Sequence, residues 1–317
     1  MDGNLIVLMD FIIFLALLII LIFSGIITTR TLSVISSYLK LGHFGGGFII
    51  MAVATGIPEL IVGLTAALTG VPQLSLGDVI GSNIINLSLV MGIAVIISGN
   101  VHFKENAIKK STVYLFFLSF LPVVLALDQN LSRVDGFILL STYVIYLMII
   151  IRGRDSESEE EVGYREFIKS SLFFSVGVIA LVLSARYLVE YTTIIASEMN
   201  ISILVIGVFL LSFGTSIPEL VFETISLLHG YKLLAVGDLM GSTVANSTLI
   251  IGLVAILSPI SISNFGLFQM VALFFAVILL IFTLFIKSKK GVTRFRALIL
   301  IGVYVLFLIT TQYTLFI

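Results

Sequence analysis

The chain has no cysteine, so it can build neither a disulfide framework nor a thiolate metal site. Any metal must be held by oxygen or by one of only three histidines, and an oxygen set suits hard cations. Charge is also scarce: 11% of residues are Asp, Glu, Lys or Arg, against about 25% in a soluble globular chain. With 59% hydrophobic residues and a mean hydropathy of +1.22, water cannot be the main solvent of this protein. No basic stripe exists, and the net charge is -1. Phosphate backbones are bound by clustered Lys and Arg, which excludes nucleic acid as a partner.

What the chain does have is a series of long apolar runs, which predicts an all-α integral membrane protein. A helix needs about 20 apolar residues to cross the hydrocarbon core. Charged and Gly/Pro-rich breaks divide the sequence into ten such spans: 5–28, 45–68, 74–98, 111–128, 134–151, 168–190, 202–228, 234–257, 268–286 and 297–316. The first, from Leu5, is too long for a signal-peptide core, lacks a basic start and precedes no small-x-small cleavage site. It reads as a retained span of a multi-pass protein of the cell membrane, with the lipid bilayer as its solvent. With the N-terminus outside, 15 of the 17 Lys and Arg lie in inner loops or at inner span ends, and only Arg133 and Arg186 lie outside. That bias predicts both termini outside.

Sliding the sequence on itself until Thr55 meets Thr215 brings two segments into register without a gap. Thr55-Gly56-Ile57-Pro58-Glu59-Leu60 falls on Thr215-Ser216-Ile217-Pro218-Glu219-Leu220. At the same offset, Gly77-Asp78-Val79-Ile80-Gly81-Ser82-Asn83-Ile84-Ile85-Asn86 falls on Gly237-Asp238-Leu239-Met240-Gly241-Ser242-Thr243-Val244-Ala245-Asn246. Each repeat holds five spans, an odd number, so the second copy must enter from the opposite side, as in many secondary transporters. The expected organisation is a first five-helix repeat over 1–151, an inner acidic linker over 152–167 and a second, inverted repeat over 168–317. The linker carries Glu157, Glu159, Glu160 and Glu161; like charges repel, so it is expected to be solvated.

The repeated residues have a chemistry in common. An acid at mid-membrane costs about 2.5–3.5 kcal/mol on insertion scales, so Glu59 and Glu219 need a compensating partner, and no Lys or Arg lies within either segment. Pro58 and Pro218 remove a backbone donor and disturb the preceding turn, which frees carbonyls near Ala54 and Gly214. Such carbonyls are tolerated in a membrane where they line a cavity or meet an ion. Ser82 and Asn86 are four apart, as are Ser242 and Asn246, so each pair presents oxygen on one helical face, with Asp78 and Asp238 a turn further back. Gly77-x-x-x-Gly81 and Gly237-x-x-x-Gly241 allow close helix approach, which a compact ion cage also requires. Two carboxylates, two amides, hydroxyls and carbonyls form an all-oxygen set. Ca²⁺ takes about 6–8 such ligands, whereas Mg²⁺ dehydrates reluctantly. Two glutamates balance one Ca²⁺ or two monovalent cations, so one pocket holds either load but not both, which is the chemical basis of exchange. No separate cofactor and no obligate protein partner is called for.

These paired segments resemble the two alpha-repeats of the sodium/calcium exchanger family, within the cation/calcium antiporter superfamily and of compact, prokaryotic type. The resemblance implies Ca²⁺ and Na⁺ as transported ions and Glu59 and Glu219 as central shared ligands. It places Thr55, Thr215, Ser216, Ser82, Ser242, Asn86 and Asn246 around them, with carbonyls near Ala52 and Ser212. It also implies that the first and sixth spans slide across the core to alternate access. Two departures stand out. Gly56 replaces a serine usual in the family, which leaves H⁺ open as the coupling ion in place of Na⁺. Asn246 stands where some relatives have an acid. Proton-coupled branches carry Gly-Asn-Ala-x-Glu, which this chain does not.

Glu223 lies one turn after Glu219, but its counterpart is Gly63, so it reads as an acid at the entrance or just outside the cage. Asp10 has no acidic counterpart, and His43, His102 and His229 fall in loops. An intramembrane aspartyl protease would use Asp78 and Asp238 as two carboxylates sharing a proton. Such enzymes are expected to show Gly-x-Gly-Asp, while here Ser75-Leu76-Gly77-Asp78 and Ala235-Val236-Gly237-Asp238 stand. A cation channel could use the same cage, but an inverted repeat with broken helices favours alternating access.

Overall fold

The computed structural model describes residues 3–38, 55–102, 106–152, 163–199 and 201–315. Among them, nine helical stretches are long and apolar enough to cross a membrane, and Ile57–Leu68 is a shorter apolar helix. The predicted span 45–68 is therefore described only in its second half, and Ala52, Ala54 and His43 lie outside the described residues.

The helices, in chain order, begin with α1 (Gly3–Tyr38), α2 (Ile57–Leu68), α3 (Pro72–Ile85) and α4 (Met91–Ser98). Then come α5 (Asn106–Leu125), α6 (Arg133–Arg152), α7 (Tyr164–Met199), α8 (Ile203–Ile206), α9 (Ser212–Thr215) and α10 (Ile217–Leu228). The last four are α11 (Lys232–Ala245), α12 (Ile251–Leu257), α13 (Phe265–Lys287) and α14 (Arg294–Leu315). Three π turns, Asn86–Val90, Gly207–Leu211 and Asn246–Ile250, join α3 to α4, α8 to α9 and α11 to α12. The first and third fall on one another at the offset that superposes the repeated motifs. Proline explains the breaks before α2 and α10: Pro58 and Pro218 sit in the first turn of each, where the missing N–H does least harm.

Two helices exceed their predicted spans by about a dozen residues. α1 and α7 each run 36 residues, about 54 Å at 1.5 Å per residue, whereas the hydrocarbon core is about 30 Å. Hydropathy marks where a span leaves lipid; backbone propensity decides where a helix ends, and Arg30 and Glu190 to Met199 remain helical. The two lie antiparallel: Tyr38 stacks on Phe167 at 4.2 Å, and Phe14, Leu18 and Leu21 share a core with Leu181, Ala185 and Leu188. Their outer faces expose Ile12, Ile19, Phe23, Leu172, Val176 and Ile179.

The interior is built from α3–α4 and α11–α12, whose most apolar windows are 78% and 83% buried against 33% for α1. The glycines let these helices approach. A Cβ on Gly77 would lie 2.5 Å from the Leu204 carbonyl and 3.2 Å from Gly207 Cα, so α3 crosses α8 backbone to backbone. Short strand contacts tie the halves at both ends of α5. β1 (Asn130–Leu131) pairs antiparallel with β2 (Ile260–Ser261), and Val101 and Val292 exchange two 2.9 Å hydrogen bonds at the other end.

Candidate cation-binding site

Polarity in this bundle is inverted relative to a water-soluble protein. Large apolar side chains face outwards, and the acids Glu59, Asp78, Glu219, Glu223 and Asp238 are at most 1% exposed. They converge where the proline breaks of α2 and α10 meet α3 and α11. Thr55 and Thr215 sit just ahead of those breaks, with Glu59 and Glu219 in the first turn that follows.

The geometry is reciprocal. The Thr215 hydroxyl donates to Asp78 Oδ1 at 3.1 Å, and the Thr55 hydroxyl donates to Asp238 Oδ1 at 3.4 Å. Each is the other displaced by the repeat offset, so every bond joins one half of the chain to the other. The hydroxyls of Ser82 and Thr215 are 3.1 Å apart. Glu59 lies beside Thr215, Ser82 and Asp78, and Glu219 lies beside Glu59, Asp238 and Glu223.

What these groups lack is equally informative. Both carboxylate oxygens of Glu59, Glu219 and Glu223, the Oδ2 atoms of Asp78 and Asp238, both polar atoms of Asn86, Asn246 Oδ1 and Ser216 Oγ have no hydrogen-bond partner. A buried polar group without a partner costs several kcal/mol, roughly 2–7. A hard cation would satisfy such oxygens together. No three Asp, Glu or His side chains among the described residues form a ready-made metal cluster, so two carboxylates would have to be completed by hydroxyls, amides and carbonyls.

The structure thus brings together Glu59, Glu219, Thr55, Thr215, Ser82, Asp78 and Asp238, and buries Ser216, Ser242, Asn86, Asn246 and Ser212 around them. Three details differ from expectation. The Ser212 carbonyl already accepts from the Ser216 N–H at 3.1 Å, with the Thr215 hydroxyl 3.3 Å away, because the helix continues through α9 up to the Pro218 break. Asn246, expected to face Asn86, donates its amide N–H to Asn83 Oδ1 at 3.4 Å, and neither polar atom of Asn86 has a hydrogen-bond partner. Glu223 is no entrance residue, being 0% exposed. The repeat pattern misses two residues of this centre: Asn83, which also donates to Ser247 at 2.8 Å, and Ser247 itself. Their counterparts are Thr243 and Leu87, so a search for duplicated residues passes over both.

Neither of the two main cavities contains the acids. One, of about 580 Å³, opens at the N-terminal ends of α3, α8 and α13 and is lined by Gln73, Leu76, Ser202, Leu204 and Asn264. The other, of about 270 Å³, lies between α1 and α10 and is lined by Arg30, Pro218, Phe222 and Ser226. The acids line neither and are wholly buried.

A bundle with a lipid-facing apolar exterior and a sealed polar centre at helix breaks is the build of a polytopic membrane transporter. Comparison with known proteins is specific about which kind. The sequence model of the "Sodium/calcium exchanger protein" family matches residues 9–152 and again residues 169–312. The chain belongs to that family. Its two matched halves are displaced by the same offset as the motifs.

The relatives agree. Sodium/calcium exchanger MaX1 of Methanosarcina acetivorans is 25% identical over 90% of this chain and 93% of its own length. A membrane protein of Methanocaldococcus jannaschii with no assigned activity is 31% identical over 67% of this chain and 70% of its own. Among solved structures, the sodium-calcium exchanger NCX_Mj, soaked with Na⁺ and Sr²⁺, superposes with a TM-score of 0.65 at 26% identity, covering 94% of this chain and 96% of that one. The protein is a multi-pass protein of the cell membrane, in a family of exchangers rather than enzymes.

Proposed function

We propose that the protein is a secondary antiporter that exchanges Ca²⁺ for Na⁺ across the membrane by alternating access. The observation that carries this reading is the reciprocal pair Thr215–Asp78 and Thr55–Asp238 around two bare carboxylates, Glu59 and Glu219. The threonines hold the aspartates, which leaves the glutamates free for the cargo. Ca²⁺ as substrate would be held by Glu59 and Glu219 with oxygens from Thr55, Thr215, Ser216, Ser82, Ser242, Asn86 and Asn246, and by carbonyls near Ala52 and Ser212. Two Na⁺ can balance the same two charges, so the loads compete.

The same reading takes the chain as ten spans in two inverted repeats of five, 1–151 and 168–317, joined by the inner linker 152–167, with both termini outside. Support comes from the antiparallel pairing of α1 with α7, from the repeat-related π turns, and from strand contacts at opposite ends of α5. The charge bias then puts the larger cavity on the outer side and the cavity beside Arg30 on the inner side.

Alternating access requires α1 and α7 to move against the core. Gly25 of α1 is the contact point: a Cβ there would lie 2.8 Å from Pro58 Cγ and 3.4 Å from Pro218 Cγ. One glycine thus faces both helix breaks. Gly25→Ala is expected to leave equilibrium Ca²⁺ binding within a few-fold of the parent and to slow exchange by about tenfold, a barrier increase of about 1.4 kcal/mol. Parallel binding and flux measurements check it; an unchanged rate would remove the sliding contact from the mechanism.

Proton coupling is the second reading, favoured by Gly56 in place of a hydroxyl. Purified protein in proteoliposomes separates the two. An outward Na⁺ gradient is expected to drive Ca²⁺ uptake, whereas an outward H⁺ gradient alone, or no gradient, is not. Uptake driven by H⁺ alone would transfer the coupling to protons, and uptake indifferent to both would point to a channel.

A further inference from the structure

Around the centre the two repeats carry the same acids except at one place. Glu223 stands where the first repeat has Gly63. In the first repeat the space beside that position is full: a Cβ on Gly63 would lie 2.7 Å from Ser75 Oγ, 3.1 Å from Ile250 Cγ2 and 3.2 Å from Val254 Cγ2. The repeat-related positions are Ala235, Val90 and Ala94, and each is smaller than its counterpart. α10 packs on α4 and its π turn as α2 packs on α12 and its π turn. Three neighbours are trimmed together where the glutamate is added, so its recess is fitted to it.

The recess holds more than one acid. Glu223 is wholly buried and faces Asp238 and the Leu239 backbone. Neither of its oxygens has a hydrogen-bond partner, and neither has Asp238 Oδ2; Asp238 Oδ1 is taken by Thr55. We propose that Glu223 and Asp238 hold a monovalent alkali cation at a position of its own, in the second repeat alone. Three free carboxylate oxygens are a smaller donor set than the Glu59–Glu219 centre offers, and Ca²⁺, which takes about 6–8 ligands, goes to the larger one. Hard oxygen donors also disfavour the softer transition metals.

Glu223 lies one turn along α10 from Glu219, on the same face and away from the Pro218 break. An ion there shares no oxygen with the Glu59–Glu219 pair, so Ca²⁺ in the centre does not evict it. The proposal rests on the exchanger reading only for the place of the Ca²⁺ centre.

Equilibrium dialysis of the purified full chain with radiolabelled Na⁺ and Ca²⁺ tests it. At saturating Ca²⁺ the parent protein is expected to retain roughly one equivalent of Na⁺, as linkage requires of an ion that does not compete. Glu223→Gln is expected to lose that equivalent, and Glu219→Gln, which removes a ligand of the proposed Ca²⁺ centre, to keep it. Glu223→Gly combined with Ala235→Ser restores the Gly63–Ser75 pairing of the first repeat at this place and, as a second folded variant, is expected to lose it too. Complete displacement of Na⁺ by Ca²⁺ in the parent overturns the proposal, as does retention of the equivalent by either Glu223 variant; a proton bound in its place counts among the overturning results. If the parent binds no Ca²⁺, the exchanger reading fails, and the Na⁺ count with and without Glu223 still decides this site.

Discussion

Glu219→Gln is expected to abolish Ca²⁺ exchange in reconstituted protein, and Glu59→Gln to do the same. Both side chains are at most 1% exposed, and none of their four carboxylate oxygens has a hydrogen-bond partner. The amide keeps the size and one oxygen but removes a full charge from a poorly solvated centre. Leaving a buried charge without its partner costs about 3–5 kcal/mol, roughly a hundred- to four-thousandfold in affinity. The same substitution removes an uncompensated charge from the ion-free protein, so its thermal stability without Ca²⁺ is expected to hold or rise. Only the Ca²⁺-induced rise in Tm should vanish. Thermal melts with and without Ca²⁺, run beside the flux assay, separate this outcome from misfolding. Intact Ca²⁺ flux in either variant would remove that glutamate from the site.

The second large effect is structural. Gly77→Leu is expected to yield no monodisperse protein, and Gly77→Ala to lower stability by about 1–3 kcal/mol, the usual cost of overpacking. A Cβ at Gly77 meets the Leu204 carbonyl at 2.5 Å and Val208 N at 3.2 Å. From the other side, a Cβ at Gly207 meets the Leu74 carbonyl at 2.7 Å and Asp78 N at 3.0 Å. All of these are backbone atoms, which cannot swing aside as a side chain does. Moving α3 off α8 also pulls Asp78 and Ser82 from Thr215, whose contacts are both 3.1 Å. Size-exclusion profiles and melts check the fold, and Ca²⁺ binding by any folded Gly77→Ala protein checks the link to the site. A fully stable Gly77→Ala protein would show that the crossing is looser than this geometry.

Much of this is legible in the sequence because the chain repeats itself. Thr55, Pro58, Glu59, Asp78, Ser82 and Asn86 each recur in the second half, at one common offset, as Thr215, Pro218, Glu219, Asp238, Ser242 and Asn246. Acids within apolar helices without basic partners then demand an explanation. The filter that finds them also hides others. Asn83 and Ser247 are paired at 2.8 Å across the repeats but are not duplicated. Glu223 falls at the edge of the pattern for the same reason, although burial puts it inside.

The sequence by itself determined the solvent, the apolar runs, the repeat and the carboxylates, since hydropathy, charge bias and spacing are local properties written along the chain. Only the tertiary structure decided which half each group serves. That Thr215 holds Asp78 while Thr55 holds Asp238, that Asn246 turns to Asn83, and that Glu223 lies sealed beside Asp238 depend on two distant halves meeting at glycine crossings. Those meetings are contacts between residues far apart along the chain, and no periodicity along a single helix encodes them.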